Sequence, residues 1–284
     1  MRNLNTELEK LIAFAKKDNN IRALVLQGSF VNANSHLDDF SDLDPLFYVN
    51  DVTKFTEDDS WKTHFGRPIS FFNDEALYHD GHKWYTRLTL FEDSFKIDFG
   101  FQSIEVAKYA NEMNLYKIYL DKDNIVPVPD VADESKFYVK KPTEAEFLDR
   151  MNAFFFDTSY VVKSLVRDEI FFEKYMESVL QMKLRKLLDW YIGIQHNFKV
   201  NTGLYGRYFK RYLTEKEWKM LLKTYPNSDK VSCINALLAS YDLVRYLGIY
   251  ISDKLGFVYP SKHDKEMLQY CTKAINKYLA NPES

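Results

Sequence analysis

The 284 residues carry a net charge of −3 with 46% hydrophobic and 28% charged content, a globular composition that excludes a disordered or fibrous chain. At roughly 150 residues per domain, the length predicts about two domains, and 22 Phe, 20 Tyr and 4 Trp predict aromatic-rich cores. Apolar runs fall far short of the ~18 to 20 residues of a membrane span, no basic-then-apolar leader opens the chain, and Cys233 and Cys271 are too few for a disulfide framework or zinc knuckle, so a reduced, cytoplasmic setting is expected.

Leu4, Leu8, Leu11, Ile12 and Ala15 recur at helical spacing, which predicts an opening amphipathic helix that ends near Asn19 and Asn20. Ala23 to Leu26 reads as a short buried strand, interrupted by Gly28-Ser29. A polar stretch, Asn32 to Asp42, then leads into a second strand, Leu43 to Val49. Pro45 within that run cannot donate to a ladder, which predicts a sheet edge or a bulge. Trp84 to Phe91 and Phe95 to Phe101 flank Glu92-Asp93-Ser94 and read as a hairpin. These elements predict a small mixed sheet with helices around it.

The pattern changes near Pro142. Thr143 and Glu146 form one capping-box sequence, Thr214 and Glu217 a second. Helical periodicity runs through Phe147, Met151, Phe154, Val161 and Leu165, then Leu184 to Ile194 and Ile234 to Ile251. The fold class expected is α+β, a catalytic domain over 1–140 followed by a helical domain over 141–284. Residues 1–140 hold 16 Lys and Arg against 24 Asp and Glu, a net of −8, which leaves +5 for the rest. An acidic first half is a poor nucleic-acid platform, so no nucleic-acid partner is expected.

Chemistry concentrates in three short segments. Asp42 and Asp44 lie two apart, which on a strand puts both on one face. Asp98 follows in Lys96-Ile97-Asp98-Phe99, where Ile97 and Phe99 turn inward if Asp98 turns out. Three converging carboxylates repel one another unless a cation joins them, and such a set can hold a pair of Mg²⁺ ions for phosphoryl-type transfer. Gly28 permits close approach of a phosphate to the backbone, and Ser29 can donate to it. Asp98 is also the best candidate base for a hydroxyl.

Gly28-Ser29, the Asp39 to Asp44 run and Lys96-Ile97-Asp98 resemble the polymerase-β-type nucleotidyltransferase pattern. With Phe47 to Asp51, Leu90 to Asp93, Lys141 to Thr143, Tyr160 to Lys163 and Lys210 to Leu213, the chain resembles the aminoglycoside 6-adenylyltransferases (streptomycin adenylyltransferases) almost end to end. The resemblance implies an antibiotic-resistance enzyme that moves AMP from ATP to a hydroxyl of a streptomycin-like aminoglycoside. It implies Asp42, Asp44 and Asp98 as metal ligands and catalytic carboxylates. Gly28, Ser29, Lys163, Lys210 and Arg211 would meet the nucleotide. Asp149 and Glu169 match acidic positions suited to a guanidinium-bearing acceptor, Trp190 could wall that site, and Asp157 and Asp189 read as surface charges. Tyr160 reads as core packing. Phe30 stands where relatives commonly have Arg, Leu204 where Lys is frequent and Ala153 where an acid is frequent. Those departures keep two other readings open, a same-fold nucleotidyltransferase with another small-molecule or protein acceptor, and a nucleotide-binding protein without turnover. A monomer or weak dimer is expected.

Overall fold

The computed structural model describes residues 2–113, 115–130 and 133–278. The chain divides into two units, Met1–Lys136 and Phe137–Ser284, against an expected boundary at 140. In the first unit, α1 (Leu4–Lys17) begins at Asn3, whose side-chain oxygen accepts from the N–H groups of Asn5 and Thr6, donors that have no partner inside the helix. β1 (Ile21–Gln27), β2 (Asp44–Val49), the single turn α2 (Thr53–Thr56), β3 (Pro68–Leu77), β4 (Lys83–Phe91), β5 (Lys96–Ser103) and β6 (Tyr116–Asp121) follow. The six strands form one sheet in the order β3-β4-β5-β2-β1-β6. β2 and β5 run parallel and every other neighbouring pair antiparallel, so the sheet is mixed as expected.

Alternation along the central strands feeds two cores. Leu24, Leu26, Phe47 and Val49 pack with Leu11, Phe99 and Phe101 on one face, and Ala23, Val25, Leu46 and Tyr48 pack with Val106, Ala107 and Tyr116 on the other. Burial on both faces explains why β1 and β2 read as continuous apolar runs. The expected aromatic content sits here: Phe101 stacks on Phe55 at 4.5 Å and on Phe47 at 5.3 Å, while Trp61 meets Phe99 edge-on at 4.8 Å. Such pairs add about 0.5 to 1.5 kcal/mol each beyond their buried area.

Pro45 does not mark an edge. β2 is central, paired with β1 on one side and β5 on the other. The proline falls in an interval of the β2–β5 ladder, between the Leu43–Ile97 bridge and the Leu46–Gly100 pair. A missing N–H is tolerated there because the ladder is already interrupted.

The second unit is helical: α3 (Glu144–Arg167), α4 (Ile170–Gln195), the single turn α5 (Phe209–Tyr212), α6 (Glu215–Leu222), α7 (Lys230–Leu255) and α8 (Ser261–Tyr278). Both capping boxes form, at Thr143 with Glu146 and at Thr214 with Glu217. The periodic stretch 184–194 is the C-terminal part of α4, and 234–251 is the interior of α7. Phe147, Met151, Phe154, Leu187, Tyr241 and Leu247 belong to one buried cluster that joins these helices. Glu217 also accepts from the hydroxyls of Tyr191 and Tyr246, which ties α6 to α4 and α7. Among the described residues no helix is long and apolar enough to cross a membrane.

Candidate active site

The sheet brings three segments together where β1 ends and β2 begins. Gln27 pairs with Asp44 in the β1–β2 register. Leu43 bridges to Ile97, and the Asp98 N–H donates to the Leu43 carbonyl at 2.9 Å. The segment 42–44 is therefore pinned against both β1 and β5. Ile97 and Phe99 are fully buried, so strand alternation turns Lys96 and Asp98 to the opposite face. Asp44 opens β2, whereas Asp42 stands just before it in the loop. The expected strand, Leu43 to Val49, thus starts one residue late, and Asp42 joins the cluster through Lys96 instead of through strand alternation.

Lys96 is the residue that sequence reasoning passed over. Its ammonium donates to Asp98 Oδ2 at 2.7 Å and to Asp42 Oδ2 at 3.0 Å. Its position two residues before Asp98 on one strand was the available signal. Burial pulls the Lys96 pKa down, but the bonds to Asp98 and Asp42 outweigh it and the net shift is upward. Asp98 is raised, chiefly by burial, with Lys96 opposing and Asp42 adding to the rise. Asp44 is pushed up to about 7 by burial, then by repulsion from Asp42 and Asp98, with Lys96 opposing. Once all three carboxyls are ionised, they outnumber the one ammonium by two negative charges, the deficit that a divalent cation would fill. Asp98 Oδ1 is buried without a hydrogen-bond partner. All-oxygen donors, an orphaned buried oxygen and a twofold charge deficit fit a hard divalent ion such as Mg²⁺.

Gly28 shapes the approach to this cluster. It adopts φ +76°, and a Cβ at this position would overlap the Asp44 carboxylate. Only glycine supplies both the left-handed backbone and the space. Ser29 begins a short 3₁₀ turn directly after it. Phe30, in the same turn, packs against the first unit's core. We expect Gly28→Ala to lower turnover by roughly 100-fold, since displacement of a reacting group by about 1 Å has that consequence. Initial rates with unchanged circular dichroism would check it.

The profile of the family described as Streptomycin adenylyltransferase matches residues 1–274 of this chain. The chain belongs to that family. An aminoglycoside 6-adenylyltransferase of Campylobacter jejuni is 32% identical over 282 residues, covering 98% of each chain. One from Bacillus subtilis (strain 168) is 31% identical over 276 residues, covering 95% of this chain and 97% of the relative. A crystal structure of an aminoglycoside 6-adenyltransferase from Bacillus subtilis aligns over 96% of this chain and 99% of its own at 29% identity, with a TM-score of 0.48. Members of the streptomycin adenylyltransferase family are nucleotidyltransferases, so this chain is an enzyme of that class.

The helical unit of this adenylyltransferase-family chain distributes its named residues over separate elements. Lys163 is exposed on α3, and Lys210 and Arg211 are exposed on α5, where Arg211 lies 4.0 Å over the Tyr208 ring. Asp149 is exposed on α3. Glu169, exposed at the start of α4, has Arg167 at 4.0 Å. Trp190 does not wall a site: it is 3% exposed inside the helical core. Tyr160 is half-buried against the same core and meets Phe156 and Phe172 edge-on. Asp157 and Asp189 are not free surface charges. Asp157 pairs with Lys183 at 2.6 Å, and Asp189 accepts from the Thr202 hydroxyl at 2.8 Å with its pKa raised chiefly by burial. Leu204 is exposed.

Proposed function

We propose that the chain transfers AMP from ATP to a hydroxyl of a streptomycin-like aminoglycoside and releases pyrophosphate. The convergence of Asp42, Asp44 and Asp98 beside Gly28, in a chain matched by the family over 1–274, carries this reading. Asp42, Asp44 and Asp98 would hold Mg²⁺, which when bound would neutralise charge on the triphosphate. Asp98 accepts the proton of the acceptor hydroxyl as the new oxygen–phosphorus bond forms and the bond to pyrophosphate breaks. In the metal-free protein burial raises its pKa, with Lys96 opposing. Its Oδ2 is held by Lys96, and its Oδ1 has no protein hydrogen-bond partner.

Gly28 and Ser29 present backbone and hydroxyl to the phosphates. Lys163, Lys210 and Arg211 are exposed cations suited to phosphate oxygens. The acceptor reading rests on what the relatives are called together with Asp149 and Glu169, exposed carboxylates able to pair with planar guanidinium groups.

One assay tests the proposal. Purified protein with Mg²⁺ and ATP is offered a panel of aminoglycosides, and pyrophosphate release is followed. Release that depends on streptomycin or a close relative is expected. Release only with other acceptors would keep the chemistry and replace the substrate, and no release with any acceptor would overturn the catalytic reading.

A further inference from the structure

A second group of ionisable side chains lies in the helical unit, among residues that the proposed transfer does not use. Glu173 and Glu177 stand one turn apart on α4, which places them on one face. Cys233 enters from the opening turn of α7. One ligand atom from each of the three lies within 4.8 Å of the others. Glu173 is 0% exposed. Both of its carboxylate oxygens, and Oε1 of Glu177, are buried without a hydrogen-bond partner. A buried carboxylate is stable only when donors or a cation satisfy it, and here the Lys174 ammonium is the cation at hand.

A cation already marks the point of convergence. The Lys174 ammonium is 2.9 Å from Glu177 Oε2, 3.3 Å from Cys233 Sγ and 3.4 Å from Glu173 Oε2. With both carboxyls ionised and the thiol neutral, two carboxylates and one ammonium leave a net of −1 in a buried place. With the thiol ionised and a divalent ion in place of the ammonium, the same groups again sum to −1. The Lys174 side chain is 32% exposed, so its ammonium has a path from the centre to the rim. A cavity of about 10 Å³, bordered by Glu177, Cys233 and Gln181, has room for roughly one water.

We infer that Glu173, Glu177 and Cys233 form a binding site for a thiophilic divalent cation of the zinc type, in competition with the Lys174 ammonium. One sulfur and two carboxylate donors with space for a water match a four-coordinate site. Mg²⁺ and Ca²⁺ favour six or more oxygens and are poorly served here. On binding, the Cys233 thiol releases its proton to solvent and a metal–sulfur bond forms, with no redox change. The ion ties α4 to α7, so it stabilises the helical unit.

Cobalt(II) is the probe, because a thiolate ligand gives it a charge-transfer absorption that oxygen ligands do not. Full-length protein stripped with a chelator and then reduced is titrated with Co²⁺. One equivalent is expected to develop the thiolate band, and Zn²⁺ to abolish it and raise the melting temperature. Glu173→Gln is expected to weaken Co²⁺ binding at least tenfold, and Cys233→Ser to remove the band. Lys174→Met is expected to tighten binding, and Cys271→Ser to leave the band unchanged. If Cys233→Ser fails to fold, the opposite responses of Glu173→Gln and Lys174→Met decide. Absence of a thiolate band at several equivalents of Co²⁺, or its persistence in folded Cys233→Ser, overturns the site. The band is independent of turnover, and the all-oxygen cluster at Asp42, Asp44 and Asp98 cannot produce it.

Discussion

Asp44→Asn is expected to abolish transfer and, in the metal-free protein, to raise stability above pH 7. The two effects have one origin. Burial and repulsion from Asp42 and Asp98 raise the folded-state pKa of Asp44 to about 7, against about 4 in an unfolded chain. Folding therefore favours the protonated carboxyl. The stability this confers is intact below pH ~4 and is lost as pH rises to about 7, and by pH 8 the accumulated loss is on the order of 2 to 4 kcal/mol. An asparagine keeps the shape and carries no charge, so it escapes that loss. Catalysis moves the other way, because a ligand charge is removed from the set that would hold the metal, and turnover is expected to fall by several orders of magnitude. Thermal melts in chelator at pH 5 and pH 8 provide the check. The variant should melt several degrees above wild type at pH 8, with a smaller gap at pH 5. Mg²⁺ should narrow the pH 8 gap, since it stabilises wild type by binding the ionised form. Near-normal turnover, or equal melting at pH 8, would contradict the account.

Much of this molecule was legible in its residues wherever one physical signal dominated. The two capping boxes, at Thr143 and Thr214, predicted helix starts that the structure places at Glu144 and Glu215. β1, β2, β4 and β5 announced themselves by apolar content because they face cores on one or both sides. β3 did not, because it is an edge strand exposed along nearly its whole length. With no buried face, Asn73, Asp74 and Glu75 break any alternation that would reveal a strand. β6 is half-buried at the opposite edge and carries Lys117 and Asp121, which dilute its pattern in the same way.

The acidic cluster was legible as residue types and less so as geometry. Spacing identifies Asp44 and Asp98, but strand order decides that β2 and β5 are parallel neighbours, and no local pattern specifies strand order. Trp190 illustrates the opposite error. An aromatic ring suggests a stacking wall, yet its place in α4 puts it in the helical core. Periodicity around Leu187 and Leu188 pointed to burial more strongly than residue type pointed to a ligand.

Asp98→Asn distinguishes a proton acceptor from a metal ligand. In wild type, Oδ2 is held by Lys96 while Oδ1 is buried and free of partners. Asparagine preserves the outline, and Lys96 retains its bond to Asp42 at 3.0 Å, so the cluster keeps its frame. If Asp98 serves as the base, turnover falls by at least the 10² to 10⁴ typical of a lost acid–base group. Mg²⁺ and ATP should still bind, because Asp42 and Asp44 remain. Calorimetric titration of ATP with Mg²⁺ then gives a dissociation constant within a few-fold of wild type alongside negligible pyrophosphate release. The pH dependence supplies a second reading, since the wild-type rate should rise through a limb set by ionisation of Asp98 and the variant's residual rate should lack that limb. Loss of nucleotide binding together with turnover would instead make Asp98 chiefly a ligand, and the proton would then have to leave by another acceptor, with ionised Asp42 or solvent as the groups next in line.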